Sequence, residues 1–195
     1  MKFIFSNRRI LIYLAKFLGA FCVLYFGTLA IEGLTAPEGK YYSGFIDKYF
    51  DYVSWLRSSL TYGSKLMVSV FGYPTELLSP TLLQVKGGRG VHIGYDCLGY
   101  GVISFWIAFV FANNGSWKRK LGWMLSGALV LWIINVLRIS LVLVSVNRNW
   151  KFPFGWDHHT WFNIVSYLAI FMMIWVYDKG TRGKSKVNHK IKQTS

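Results

Sequence analysis

The chain has 195 residues, of which 53% are hydrophobic, 18% aromatic and only 15% charged. An ordinary soluble domain has about 25% charged residues, so the composition excludes a typical soluble domain and favours an integral membrane protein. The net charge of +14 would suit a nucleic-acid-binding protein. The basic residues gather at the ends of apolar runs, however, where they set orientation in a membrane, and we expect no nucleic-acid partner.

The first predicted element is a transmembrane helix close to the amino terminus. Residues 1–9 carry Lys2, Arg8 and Arg9, and residues 10–34 are apolar apart from two charged side chains. A secretory signal peptide has the same charged beginning, but its apolar segment is shorter and ends in a small-residue cleavage site. A bilayer is crossed by about 20 apolar residues, so this run predicts a first span.

The segment from residue 35 to residue 96 is mixed in character and nearly neutral. Residues 45–73 repeat aromatic and aliphatic side chains every three or four positions, which indicates a helix. We expect it to lie in the membrane interface or to form a re-entrant hairpin, rather than to cross the bilayer. Residues 82–95 alternate apolar and polar side chains around a glycine-rich centre, which is typical of a β-hairpin.

Three more apolar runs follow, at residues 98–112, 121–146 and 161–177. With the first run they predict an all-α membrane protein, a polytopic bundle of about four transmembrane helices with an interfacial helix and a short extracytoplasmic β-hairpin-like segment. We expect one integral membrane domain over residues 1–178. Residues 179–195 carry six Lys or Arg residues, and we expect a disordered cytoplasmic tail there.

The distribution of basic residues predicts the orientation of the bundle. Cytoplasmic loops of membrane proteins are enriched in Lys and Arg. The amino terminus, the loop at residues 113–120 and the tail hold 12 of the 22 basic residues, and four spans put all three segments in the cytoplasm. The segment 35–96 and the loop 147–160 then lie outside, and the residues at their ends share the outer membrane face.

Arg138 is the most informative single residue, because it lies inside the apolar run 121–146. A charge in such a run costs on the order of 2.5–3.5 kcal/mol on insertion scales, and less near the interface. Arg does not lose its proton in proteins, so it faces a polar cavity, finds a partner or extends to the interface. The helical face of Arg138 also carries Asn135, Gly127, Leu131, Val142 and Ser145. We interpret this face as part of a functional site.

The two cysteines have different settings. Cys22 lies in the middle of the first apolar run, where a thiol packs as a small hydrophobic group. Cys97 follows the predicted hairpin and precedes the run 98–112. We therefore expect Cys97 at the beginning of a helix, where the helix dipole favours a reactive thiolate. The chain has no Cys-x-x-Cys pair, so a dithiol relay has no obvious second cysteine.

His158 and His159 precede the last apolar run. Adjacent histidines point in different directions, so they are poor candidates for ligands of one metal ion. A zinc site needs three or four ligands; His92 and Asp157 could be recruited, but the spacing is not diagnostic. We expect no metal ion and no other cofactor. Interfacial histidines without a catalytic role are an alternative. His159, Asn163 and Ser166 share one face of the predicted helix, which favours His159 as the inward residue.

These residues, taken in order, resemble the exosortase/archaeosortase family of membrane-embedded transpeptidases. The resemblance covers roughly residues 85–177. It rests on Cys97-Leu98-Gly99 opening one span, Asn135-Val136-Leu137-Arg138 within the next, and Asp157-His158-His159 opening the last. Many members have Ala-Cys-Ser-Gly at the nucleophile, where this chain has Asp96-Cys97-Leu98-Gly99. The short chain resembles compact members from Bacteroidetes-type bacteria more than the long ones.

The resemblance implies a catalytic set of Cys97, Arg138 and either His158 or His159, beside which Asn135 and Asn163 are candidate supporting residues. The implied enzyme is a cysteine transpeptidase or protease of the bacterial cytoplasmic (inner) membrane, with several spans and an active site that faces the periplasm or the outside. The implied substrates are secreted proteins that end in a short motif, a transmembrane helix and a basic cluster. The further implied partners are the lipid bilayer and an unknown acceptor amine of the envelope.

Two other classes of protein stay open on the sequence. Arg138 could serve as a structural charge in a non-enzymatic membrane assembly or transport subunit. Cys97 could belong to a membrane thiol redox protein. Replacement of Cys97 by Ser separates acyl transfer from a scaffold role, because it abolishes the first and leaves the second intact.

Overall fold

Six α-helices and a three-stranded sheet make up the part of the chain that the structure, a computed structural model, describes: residues 8–36, 39–150, 155 and 158–193. The side chains of residues 9, 158, 159 and 181–193 are not described. In chain order the elements are α1 (Arg8–Thr35), α2 (Gly44–Phe50), α3 (Tyr52–Val70), β1 (Thr75–Ser79), β2 (Leu82–Val85), β3 (Gly90–His92), α4 (Tyr100–Ala112), α5 (Trp117–Arg148) and α6 (His158–Gln193). A 3₁₀ turn at Tyr95–Cys97 precedes α4.

Three segments of these helices are long and apolar enough to cross a membrane, namely Ile10–Thr35, Trp117–Arg148 and Thr160–Gly180. The prediction of an all-α membrane protein is therefore confirmed. The fourth predicted span corresponds to α4, whose 13 residues extend about 20 Å at 1.5 Å per residue. That length is shorter than the roughly 30 Å hydrocarbon core of a bilayer.

The helices α1 and α4 pack antiparallel through aromatic side chains. Phe17 meets Phe105 edge to face with ring centroids 5.3 Å apart, and the rings of Tyr25 and Tyr100 are 5.5 Å apart. Residue numbers therefore rise along α1 as they fall along α4. The carboxyl end of α1 consequently lies beside the amino end of α4, close to the turn that carries Cys97.

A buried tryptophan fixes α4 against α5. Trp106 is fully buried, and its Nε1 donates a hydrogen bond to the carbonyl oxygen of Trp123 at 2.9 Å. Gly127 lies one turn further along α5, and a Cβ there would overlap the Trp106 ring. The missing side chain at residue 127 permits the close approach of the two helices.

The predicted hairpin is part of a three-stranded antiparallel sheet. The strand β2 pairs with β3, with Leu83 opposite Val91, and this pairing confirms the predicted hairpin. The strand β1, which the sequence did not predict, pairs with the other edge of β2. Leu83 is fully buried in the core that the sheet forms with α3 and α5. Asn147 of α5 holds the sheet, because its Oδ1 accepts from the backbone N–H of Arg89 at 2.7 Å and its Nδ2 donates to the Arg89 carbonyl at 3.0 Å.

The helical segment predicted at residues 45–73 is two helices, α2 and α3, that meet at Asp51. The Asp51 carboxylate caps α3 by accepting a hydrogen bond from the Ser54 backbone N–H at 2.9 Å. Tyr42 donates to Asp47 at 2.8 Å, and this bond raises the pKa of Tyr42 above its ordinary value. Aromatic side chains around α2 are exposed: Tyr41, Phe45, Tyr49, Phe50 and Trp55. An interfacial position suits them and stays a prediction.

The helix α6 continues beyond the last predicted span. The sequence predicts disorder from residue 179, whereas the backbone of α6 is helical to Gln193. The four prolines of the chain all precede residue 158, so no proline ends this helix. The division into a membrane domain at residues 1–178 and a tail at residues 179–195 stays a prediction.

Candidate active site

Cys97 lies in a short turn between the sheet and α4. The strand β3 ends at His92, and in the 3₁₀ turn the backbone N–H of Cys97 donates to the Gly94 carbonyl at 3.0 Å. Gly99 has a φ of 68°, a left-handed conformation that glycine adopts without strain. The helix α4 begins only at Tyr100, so the prediction that Cys97 itself begins the helix is wrong.

The helix α5 brings Asn135 and Arg138 to this turn. Only 2% of Asn135 and 7% of Arg138 are exposed, so both face inward. The Nδ2 of Asn135 donates a hydrogen bond to the carbonyl oxygen of Cys97 at 2.7 Å, which holds the backbone of the turn against α5. The other residues of the predicted inward face are buried as well: Gly127, Leu131, Val142 and Ser145.

The guanidinium of Arg138 contacts both Cys97 and α6. Its Nη2 lies 4.0 Å from the Cys97 Sγ, and its Cζ lies 4.2 Å from the centroid of the Phe162 ring. A cation beside a sulfur favours the thiolate over the thiol, and the face of an aromatic ring attracts a cation. The thiol is free and its residue is partly exposed, so the arrangement can support nucleophilic chemistry at sulfur.

Phe162 is a part of the site that the sequence did not identify. A Cβ at Gly99 would lie 3.7 Å from the Phe162 ring and 3.3 Å from Asn135, so this glycine leaves room for both α5 and α6 around the turn. Phe162 lies one helical turn after His158. The four-residue spacing between His158 and Phe162 was the one feature of the sequence that could have identified Phe162 as part of the site.

The two candidate histidines begin α6, but their side chains lie outside the described residues. The buried side chains of Ser166 and Ile170 mark the inward face of this helix. His159 precedes Ser166 by seven residues, which is about two helical turns. His158 precedes Phe162 by four residues, or about one turn. The backbone thus puts residue 159 on the buried face and residue 158 on the face of Phe162.

Asn163 does not lie on the inward face that the sequence predicted for it. It is exposed, whereas Ser166 is buried. Three residues of an α-helix turn about 300°, so Asn163 is rotated about 60° away from Ser166. A supporting role for Asn163 stays a prediction.

A cavity of about 210 Å³ opens beside Arg138, between α5 and α6. Apart from Arg138 its walls are apolar: Ile134, Leu137, Leu141, Val142, Trp161, Phe162 and Val165. An apolar cavity of about 150 Å³ holds benzene, so this one has room for an aromatic or branched aliphatic side chain. Leu141 and Val165 are exposed, so the cavity opens sideways from the helix pair.

Metal binding has no support within the described part of the chain. In that part no group of three or more His, Cys, Asp or Glu side chains lies close enough together to hold an ion. Cys22 of α1 is a free, exposed thiol, and Cys97 is free as well.

The chain matches a known family over most of its length. The model of the transmembrane exosortase family (Exosortase_EpsH) matches residues 11–176, a range that includes Cys97, Arg138 and both candidate histidines. No curated protein matches the chain, and no solved structure matches it.

Proposed function

Because the chain belongs to the transmembrane exosortase family, we propose that it is a membrane-embedded cysteine transpeptidase that processes the C-terminal sorting signals of secreted proteins. The family is associated with the processing of such signals. The observation that carries the proposal is the 4.0 Å contact between Arg138 Nη2 and Cys97 Sγ. It joins the two residues whose chemistry a thiol acyl transfer needs.

In this proposal the Cys97 thiolate is the nucleophile. It attacks the carbonyl carbon of the scissile peptide bond, and collapse of the tetrahedral intermediate breaks the C–N bond and leaves a thioacyl-enzyme. The negative charge that develops on the carbonyl oxygen needs a donor already in place. Arg138 supplies it, because its guanidinium is held against Phe162 at 4.2 Å and presents several N–H groups in one plane.

A histidine at the beginning of α6 completes the proposed chemistry. It takes the thiol proton, gives a proton to the leaving amine and then activates the incoming nucleophile. We favour His159, because its backbone position lies on the same face of α6 as buried Ser166. His158 is the alternative, since it lies one turn before Phe162. An acceptor amine of the envelope would release the product by transpeptidation, and water would release it by hydrolysis.

The length of α5 supports a site close to one boundary of the membrane. About 20 helical residues cross the roughly 30 Å hydrocarbon core, so a span that begins at Leu121, after the basic residues 118–120, ends near Ser140. Arg138 then lies just inside that boundary. The last turns of α5, which hold the sheet through Asn147, extend beyond it.

The charge distribution supports an outward-facing site in the bacterial cytoplasmic (inner) membrane. Residues 118–120 at the beginning of α5 are all basic, and six further basic residues follow Tyr177. Such clusters mark the cytoplasmic side. Arg138 lies toward the opposite end of α5 and contacts Cys97 in the turn before α4, so we propose that both residues face the periplasm or the outside.

The sideways cavity supports a substrate that arrives within the membrane. Its apolar walls and its opening between α5 and α6 suit a side chain of a transmembrane helix, and Arg138 forms its inner wall. We propose that the substrate ends in a short motif, such a helix and a basic cluster. The helix would bring the motif to the level of Cys97.

The proposal is tested by co-expressing the protein with a secreted protein of the same genome that ends in this three-part signal. Cleavage should stop in Cys97→Ala and continue at the normal rate in Cys22→Ala, the matched control on α1. A scaffold or transport subunit would keep processing intact in both variants. A thiol redox protein would change the oxidation state of its targets and leave the signal uncut.

A further inference from the structure

Arg57 of α3 is a second guanidinium close to the turn that carries Cys97. Its Cζ lies 3.9 Å from the centroid of the Tyr95 ring, which is close contact for a cation over an aromatic face. Tyr95 is the first residue of the 3₁₀ turn that ends at Cys97. The carbonyl of Tyr95 accepts the backbone N–H of Leu98 at 3.0 Å, so its position sets the path of the turn.

The burial of Arg57 is not explained by hydrogen bonding. Its Nε and Nη2 are buried and, within the described residues, have no hydrogen-bond partner. Buried donors without partners reduce stability. The contact that the structure gives for the charged end of this half-buried side chain is the stack on the Tyr95 ring.

Charged side chains of three helices lie near the turn. Glu32 of α1 lies close enough to Arg57 of α3 and to Asp96 of the turn for both to act on its carboxyl group. Arg138 of α5 contacts the Cys97 thiol. Arg57 thus meets the turn at Tyr95, and Arg138 meets it at Cys97.

We propose that Arg57 is a positioning residue that, by stacking on Tyr95, fixes the Tyr95–Cys97 turn so that the Cys97 sulfur stays against Arg138. The turn is then held from two directions. Asn135 holds its carboxyl end through the Cys97 carbonyl at 2.7 Å, and Arg57 holds its amino end through the Tyr95 ring. Arg57 acts through Tyr95 and does not touch the reacting atoms. This role rests on the proposed function only in taking Cys97 as the nucleophile.

The test compares how fast anionic iodoacetate and neutral iodoacetamide alkylate Cys97, in the full-length protein with Cys22→Ser. A cation beside the sulfur attracts the anionic reagent, so loss of the Arg138 contact lowers the ratio of the iodoacetate rate to the iodoacetamide rate. We expect this lower ratio in Arg57→Gln, which removes the cation, and in Tyr95→Leu, which removes the ring. Tyr95→Phe keeps the ring and should keep the normal ratio. The matched control is Arg148→Gln, which removes another ring-stacked guanidinium, over Tyr73.

The outcomes separate positioning from other roles. A normal rate ratio in Arg57→Gln overturns the proposal. A lowered ratio in Arg57→Gln with a normal ratio in Tyr95→Leu also overturns it, because the charge would then act without the ring. If Arg57→Gln fails to accumulate, the comparison of Tyr95→Leu with Tyr95→Phe decides. The alkylation assay needs no substrate. If Cys97→Ala still cleaves the sorting signal, the proposed function fails, but alkylation of Cys97 still tests the positioning role of Arg57.

Discussion

Replacement of Arg138 by Lys keeps the positive charge and removes the planar guanidinium. The guanidinium has two contacts at once, since its Nη2 lies 4.0 Å from the Cys97 sulfur while its Cζ lies 4.2 Å from the centroid of the Phe162 ring. A Lys ammonium is a compact point charge without a fixed fork of donors. We therefore expect Arg138→Lys to insert and accumulate normally and to process substrate far more slowly.

The size of the effect follows from the proposed role of Arg138. Loss of one oxyanion donor typically reduces a rate by about 10²–10³, or about 2.7–4 kcal/mol. Arg138→Lys should therefore slow processing at least about a hundredfold, and Arg138→Ala should slow it further. If Arg138 only extended toward the interface, Lys would replace it with little loss, because Lys also reaches the interface with its charged end.

The assay is the ratio of uncleaved to cleaved sorting substrate in cells that contain equal amounts of each variant. Arg148→Lys is the matched control, because Arg148 lies on the same helix and is exposed, ten residues beyond Arg138. The control should process substrate normally. Near-normal processing by Arg138→Lys would refute the reasoning and remove Arg138 from the chemistry.

Three further predictions concern packing, the turn and topology. Gly127→Ala should lower the free energy of unfolding in detergent by about 1–3 kcal/mol, because the new Cβ overlaps Trp106. The control Gly122→Ala, whose Cβ meets open space, should not lower it, and equal unfolding midpoints of the two variants would contradict this packing. Asn135→Leu should slow processing about tenfold at matched protein level, since the Cys97 carbonyl loses its hydrogen bond; unchanged processing would show that this bond is dispensable. Reporter fusions after Lys120 and after Lys192 should both report cytoplasm, and a periplasmic signal at either place would overturn the outward-facing site.

The inward face of α5 could be predicted from the sequence, because it follows from local geometry alone. Asn135 and Arg138 are polar residues in an apolar run, and a helix puts them on one face. The structure buries both and sets them against the Cys97 turn. The β2–β3 hairpin was predictable for a similar reason, since alternation of side chains and a glycine-rich connection are local signals.

The parts that sequence could not supply depend on contacts between distant segments. Phe162 of α6 contacts Arg138 of α5, and Arg57 of α3 contacts Tyr95 of the turn. Nothing in the sequence near Phe162 or Arg57 indicates these partners. The left-handed conformation of Gly99 moves the beginning of α4 past Cys97. The sequence did not predict this later beginning of α4, because an apolar run has the same composition whether or not a turn interrupts its first residues.

The strand β1 was missed for a different reason. The segment Thr75–Ser79 lies between two prolines, Pro74 and Pro80, and flanking prolines are typical of a loop. In the structure it pairs at one edge of the sheet, with Thr75 opposite Val85. Prolines are tolerated at the ends of an edge strand, because no ladder hydrogen bond is lost there.

The central claim, that Cys97 forms a thioacyl intermediate with the substrate, is tested most directly by mass spectrometry of the protein from acid-quenched cells that are processing a tagged sorting substrate. We predict an adduct on the peptide that contains Cys97, with the mass of the retained substrate segment and with lability to hydroxylamine. Cys22 of the same molecules should carry no adduct. Active cleavage without any adduct on Cys97, or an adduct on Cys22 instead, would contradict the account.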